Sequence, residues 1–336
     1  MSTVIASSVL ANGLRTEFAD TYSAIRNRQA DSRLGLVMDL GIGATNNNHD
    51  FAYFEAAPHM AHWKRGESIP SDAFDSVSFN VPVYEWARRI NWSKFDRKDD
   101  QTQSLMDVAK MAGESAALLP LRFFFDLIGP TATTLPAVPL APDGAAMFAT
   151  TAGGAARFGV TDGNLLTGSG IATLSAVKTD YYSAIEQWKQ MQDGKGQPLL
   201  SDETIDGGTV IIHPAIYTEV FEEAFMQKRQ GVLGPDNSTD AVTSTQVSNL
   251  IQDASRNVTL WGTSRLTVAN DWYIFLKNPP KKSTFMLTRE GIQEFTSLEG
   301  DNNGDHTRTT GEEYVQWEER SGAGIALPYA AIKING

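Results

Sequence analysis

Within residues 50–129 the apolar positions change their spacing from every second residue to every third or fourth, so an extended arm must run straight into a long amphipathic helix. Going out, Phe51, Tyr53 and Phe54 precede a polar tip at 64–72; coming back, Val77, Phe79, Val81 and Val83 alternate with Ser78, Asn80, Pro82 and Tyr84. Pro82 has no N–H for a ladder, which assigns the returning strand to a sheet edge, where another chain can pair. Beyond it Leu105, Val108, Ala109, Ala112, Ala116 and Leu119 fall on one helical stripe, and Asp99 and Asp100 sit at the positive end of the helix dipole. Pro120 should kink or end that helix, and 121–128 reads as a second helical piece closed by Gly129-Pro130.

The remaining segments complete a mixed pattern. Leu10, Leu14, Phe18, Tyr22 and Ile25 predict a helix over 9–29, followed by a Gly- and Asn-rich hinge over 35–48. The Pro-, Ala- and Gly-rich stretch 131–170 carries the turn Pro142-Asp143-Gly144, yet Phe148, Phe158, Val160, Leu165 and Leu166 argue for short packed strands. A helix over 173–193, a β-branched strand over 209–212 and a helix over 217–226 predict an α/β domain spanning 131–269. Aromatic or β-branched segments at 272–276, 284–288, 314–319 and 324–334 predict closing strands.

Composition narrows the function. With 336 residues, 41% hydrophobic and 20% charged, the chain reads as a soluble globular protein of roughly two domains. The absence of cysteine excludes disulfides, thiolate metal sites and a cysteine nucleophile, and fits assembly in a cytoplasm. No secretory signal or membrane-length apolar run is evident. A net charge of −12, from 28 basic and 40 acidic residues, weighs against tight sequence-independent nucleic-acid binding. Arg88, Arg89, Lys94, Arg97 and Lys98 cluster at the arm-to-helix junction, either as a solvated face or as an intersubunit salt-bridge patch.

Taken in order, these parts resemble the major capsid protein of tailed bacteriophages, particularly the Mu-like major head subunit family. The likeness rests on the 79–92 return strand leading into the helix and on Pro142-Asp143-Gly144-Ala145-Ala146-Met147-Phe148, similar to that family's Asp-Gly-x-x-x-Phe segment. It rests further on 210–217 with its proline, on Asp271-Trp272-Tyr273-Ile274-Phe275, and on the strand pair from Glu313-Tyr314-Val315-Gln316-Trp317 to Pro328-Tyr329. The resemblance implies an α+β, Hong Kong 97-like fold with an N-terminal arm (1–49), an extended-loop hairpin (50–95), the spine helix of a peripheral domain (96–130), an axial α/β domain (131–269) and closing strands (270–336). It further implies hexamers and pentamers of an icosahedral head enclosing double-stranded DNA, located in the virion and assembled in the host cytoplasm. The implied partners are other copies, a separate scaffolding protein, a portal and a decoration or cement protein. No cofactor is expected, and no catalysis.

An arm too long and thin to bury its own aromatic residues offers Trp63, Lys64, Arg65, Phe79, Trp86, Arg88, Arg89 and Trp92 as intersubunit contacts, since interfaces favour aromatic side chains and arginine; burial of the tryptophans in their own core is the alternative. The resemblance also makes Lys64 a cross-linking lysine in principle, with no partner asparagine identifiable. His59 and His62 have helical metal spacing without the His-Glu-x-x-His pattern, and His213 before Pro214 reads as a structural histidine. The glycine clusters match no phosphate loop, dinucleotide fingerprint or nucleophile elbow. Asp301, Asn303, Asp305 and Glu312 have calcium-loop spacing, but His306 stands where glycine is required and the flanks read as strands, so a polar hairpin tip is expected. Two rivals stand beside the capsid reading: an encapsulin-type shell, and a soluble α/β enzyme using carboxylates such as Asp143 or Asp162, for which no base–nucleophile–orienter set exists.

Overall fold

The computed structural model describes residues 7–30, 32–46, 48–54, 76–93, 104–225, 257–266, 268–297 and 309–336. The chain divides into two compact units. Unit 1 gathers 1–51, 80–139 and 285–324; unit 2 gathers 52–79, 140–284 and 325–336.

Unit 1 is built on a four-stranded sheet in the order β1 (Met38–Gly43), β11 (Thr284–Ser297), β12 (Glu312–Ile325), β4 (Tyr84–Ser93). β12 and β4 pair antiparallel from Glu312↔Ser93 to Ser321↔Tyr84, which leaves β4 at the edge. Alternation along these strands turns Val315 and Trp317 inward beside Ile90 and Trp92. Against that face pack α1 (Ser7–Ala30), through Leu10, Ala11, Leu14 and Phe18, and α3 (Ser104–Ala117), through Ala109 and Ala112. A short α2 (Arg33–Val37), capped by the Ser32 hydroxyl, links α1 to β1.

The two long helices run side by side in the same direction. A Cβ on Gly113 would lie 2.8 Å from the Phe18 carbonyl oxygen, and Lys110 Nζ stands 3.6 Å from Glu17 Oε2. Small residues on α3 permit that approach. Val108, included in the apolar stripe at the sequence level, lies at the margin of the packed face and is 44% exposed. Pro120 sits in the first turn of α4 (Leu119–Ile128), where a missing N–H costs nothing; the backbone bonds Leu118 N to Glu114 O and Arg122 N to Leu118 O carry the helical path across the break. Past Gly129, which donates to the Phe125 carbonyl, the buried Asp126 carboxylate accepts the amides of Thr133, Thr134 and Leu135 and the Thr133 hydroxyl, fixing the turn that leaves the helix.

The extended arm is described at its base alone. There β2 (Asn48–Phe54) pairs with β3 (Ser76–Pro82) as a two-stranded ribbon, and Pro82 closes β3.

Unit 2 holds a five-stranded sheet in the order β7 (Leu165–Thr167), β13 (Ala331–Asn335), β10 (Asp271–Leu276), β8 (Thr209–Pro214), β9 (Val258–Thr263), with two short strands, β5 (Thr151–Ala152) and β6 (Ala155–Ala156), forming a separate ribbon. β10 pairs antiparallel with both β13 and β8, while β8–β9 and β13–β7 are parallel. Here the domain boundary expected from sequence is corrected. β10 and β13, grouped at the sequence level with the closing strands of 270–336, belong to the sheet of the central unit. Every residue of β8 and β10 is buried, the signature of strands covered on both faces, and the inner sites of β13 complete that core. Over the sheet lie α5 (Leu174–Gln190), α6 (Asp202–Asp206) and α7 (Thr218–Phe225), bringing Val177, Tyr181, Trp188, Phe221 and Phe225 against Trp272 and Ile274.

Candidate assembly surface

The outward-reaching residues singled out in the sequence separate into three groups. Trp63, Lys64 and Arg65 lie outside the described residues, as do His59, His62, Asp301, Asn303 and Asp305. Phe79 is half-buried on β3. The remainder sit on β4, and the strand's alternation divides them between its faces.

On the inner face Trp92 is 3% exposed, and its indole Nε1 donates to Glu313 Oε2 at 2.7 Å. That ring is therefore core of its own subunit and is removed from the list of intersubunit contacts; the inward register of β4 at this position is the physical reason. Trp86 lies on the same face but nearer the strand's start. It is half-buried, donates from Nε1 to the Ser321 carbonyl at 2.9 Å and leans on Phe123, with ring centroids 5.1 Å apart. Arg88, between them, is exposed.

Arg89 points to the other face. Its Nε donates to Gln316 Oε1 at 2.7 Å while the guanidinium lies over the Tyr314 ring, 4.1 Å from the centroid. These two cross-strand contacts hold an exposed arginine in one orientation, which lowers the side-chain entropy lost when a partner engages it.

A cleft of about 220 Å³ opens on unit 1 between α1, β4, β11, β12, α3 and α4, with Trp86, Trp317 and Phe18 as its apolar walls and Arg88, Arg122 and Glu319 as its polar groups. Arg122 is tied to the Ser115 hydroxyl at 3.2 Å. Glu319 is 3% exposed, and burial pushes its carboxyl above the usual range, against the opposing pull of Arg26 and of the Ser321 hydroxyl.

Of the two carboxylates considered for catalysis, Asp162 lines a surface cleft beside Asp180 and Glu186, and Asp143 is bound by an arginine. Both oxygens of Asp143 accept from Arg157, Nε at 2.7 Å and Nη2 at 3.0 Å, and the Arg157 side chain is 1% exposed. Arg157 Nη1 also donates to the carbonyls of Ala146 and Met147 and to Asn164 Oδ1. Asn164 Nδ2 in turn binds the carbonyls of Met147, Pro328 and Ala331. This hub, which sequence reading missed because its members sit in a turn-rich stretch, ties the 141–167 segment to the C-terminal strand. His213 is buried, its ring stacked on Phe221 at 4.3 Å, as a structural histidine would be. Glu312, the one described member of the calcium-spaced set, pairs with Ser93 at the start of β12 and lies within reach of Asn91 Nδ2 at 3.4 Å. Among the described residues no group of three or more His, Asp or Glu side chains could hold a metal ion, and no helix is long and apolar enough to cross a membrane.

A family model described as phage capsid protein matches residues 76–334, a span that includes β4, the cleft and most of both units. The chain belongs to the phage capsid protein family. Solved structures agree in fold. The capsid of a native GTA particle superposes with a TM-score of 0.53 at 9% identity, covering 90% of this chain and 88% of that one. The capsid of the Myoviridae phage XM1 gives 0.50 at 12% identity, covering 90% of each chain, and Microbacterium phage Oxtober96 gives 0.50 at 11% identity, again over 90% of each. No curated protein matches the sequence. For this member of the capsid family the fold is thus the α+β, Hong Kong 97-like one implied by the order of its parts.

Proposed function

We propose that this chain is the major capsid protein of a tailed bacteriophage, of the Mu-like major head group, and that copies of it assemble as hexamers and pentamers into an icosahedral head around double-stranded DNA. The observation that carries the reading is the capsid-family match across 76–334. In this reading 50–95 is the extended loop, 96–130 the spine helix, and unit 2 the axial domain. Trp63, Lys64, Arg65, Phe79, Trp86, Arg88 and Arg89 make contacts between subunits, and the protein is structural rather than catalytic. Assembly takes place in the host cytoplasm with a separate scaffolding protein and a portal, and a cement protein binds the outer surface. The net charge of −12 suits a wall that encloses DNA without gripping it.

Co-expression with the scaffolding protein, followed by electron microscopy of the purified product, tests this directly. Closed particles of uniform size are expected, and particles from infected cells should carry nuclease-protected DNA. A persistent monomer under co-expression would count against assembly, and particles holding an enzyme cargo instead of DNA would transfer the chain to the encapsulin reading.

A further inference from the structure

The face of α1 that meets the sheet changes character along its length. Leu10, Leu14 and Phe18 occupy the first turns and lie in an apolar core. Tyr22, Arg26 and Gln29 continue the same three-to-four spacing, so the last turns rest on polar groups. The Gln29 side chain is buried, and neither polar atom of its amide has a hydrogen-bond partner. Arg26 Nη2 stands 3.9 Å from Glu319 Oε1, beyond hydrogen-bonding distance, and turns toward the Met286 sulfur at 3.4 Å. A buried carboxylate with a cation nearby but no direct bond from it recovers little of the cost of leaving water.

We propose that the C-terminal half of α1 is held on the sheet by a proton-operated clamp, in which neutral Glu319 seats residues 19–30 firmly and ionised Glu319 loosens them. The charged and titratable groups around Glu319 are Arg26 and Tyr22 from α1, Arg88 from β4 and Arg122 from α4. Arg88 is exposed and Arg122 is engaged with Ser115, so Arg26 is the cation that most favours the ionised carboxylate. The sign follows from burial outweighing that cation. The folded subunit holds the Glu319 proton more tightly than the unfolded chain does, so the seating is strongest in acid and is lost as pH rises through the raised Glu319 value. The first turns, resting on Leu10, Leu14 and Phe18, contain no such group and stay docked.

Amide hydrogen exchange of the full, unassembled chain between about pH 5 and pH 8, corrected for intrinsic exchange chemistry, tests the clamp. Peptides covering 19–30 should lose protection roughly fivefold or more as pH rises, while peptides from α5 change little. Glu319→Gln should hold 19–30 at the acid-side protection across the whole range. Arg26→Met, which removes the favourable cation, should move the loss toward higher pH. Equal protection of 19–30 at both ends of the range overturns the proposal, and so does a Glu319→Gln chain loosened throughout. If Glu319→Gln fails to fold, as loss of protection in α4 of the same unit would reveal, an Arg26→Met midpoint identical to that of the unaltered chain overturns it instead.

Discussion

Phe18 stacks on Trp317, with ring centroids 4.2 Å apart and planes 7° from parallel. The contact fastens the N-terminal helix to a strand near the other end of the chain, and both rings are buried. Phe18→Ala should destabilise unit 1 by about 3–5 kcal/mol, through lost transfer energy plus a cavity that the flat Trp317 ring cannot fill. Phe18→Leu should cost less. Urea denaturation followed by Trp fluorescence measures both; a loss near zero for the alanine variant would mean that α1 is not seated as described.

Gly113 makes a different demand. An alanine Cβ there would lie 2.8 Å from the Phe18 carbonyl oxygen and 3.3 Å from Thr21 Cβ. Alanine is the better helix former by about 1 kcal/mol, but the clash is with backbone and pushes α1 away from α3. The net expectation is destabilisation of about 1–3 kcal/mol in the same unfolding experiment, and a stabilised Gly113→Ala chain would refute the close crossing.

The Asp143–Arg157–Asn164 hub should act as one unit. Asn164→Leu removes the amide donor to the Met147, Pro328 and Ala331 carbonyls and one of the acceptors of Arg157, at a cost of roughly 3 kcal/mol. Asp143→Asn leaves a buried, charged arginine without its counter-ion and should cost a similar amount. The double variant should lose much less than the sum, and strict additivity in a double-mutant cycle would argue that the two are independent.

Alkali should unfold the protein through its tyrosines. Burial raises the phenol of Tyr22, with Glu319 adding to it, and burial with Asp271 raises that of Tyr273; Tyr329 is raised by burial. Folded phenols that hold their protons more tightly than unfolded ones leave stability intact below the ordinary phenol range and remove it as pH climbs from that range through the raised folded values. Absorbance titration should therefore find Tyr273 and Tyr329 silent until a cooperative transition, whereas Tyr22 belongs to the segment that loosens at lower pH. Smooth ionisation of all nine tyrosines at the free-tyrosine value would contradict their burial.

Arg88 separates assembly from folding. It is exposed on the edge strand β4, so Arg88→Glu should leave the unfolding free energy within about 0.5 kcal/mol of the parent. Light scattering during co-assembly should nevertheless show slower or absent particle growth. Unchanged growth would remove Arg88 from the contact surface.

Much of this was legible because local periodicity survives folding. Leu10, Leu14 and Phe18 announce α1 and are buried on its inner face, and Pro120 with Gly129 marks both ends of α4. The argument from Pro82 concerned the strand at 77–84, which is β3 in its two-stranded ribbon; the edge position of β4 in the four-stranded sheet is a separate, non-local outcome. What stayed hidden was non-local. Nothing near Trp92 reveals that Glu313 will accept its indole N–H, and nothing in the Asn164 turn anticipates carbonyls from Pro328 and Ala331. The placement of β10 and β13 failed for the same reason: a strand's own residues state that it is buried, not which sheet buries it.

The lower core of unit 1 joins the first helix of the chain to its last long strands, and this sets the order of events on a ribosome. At roughly 5–20 residues per second, about 300 residues separate the emergence of Phe18 from that of Trp317, a delay on the order of 15–60 s. Through that interval the stripe of Leu10, Leu14 and Phe18 has no β12 to lie on. Until β12 emerges, the nascent subunit thus carries an α1 whose stripe has only α3 to pack against, and the sheet side of that core closes late.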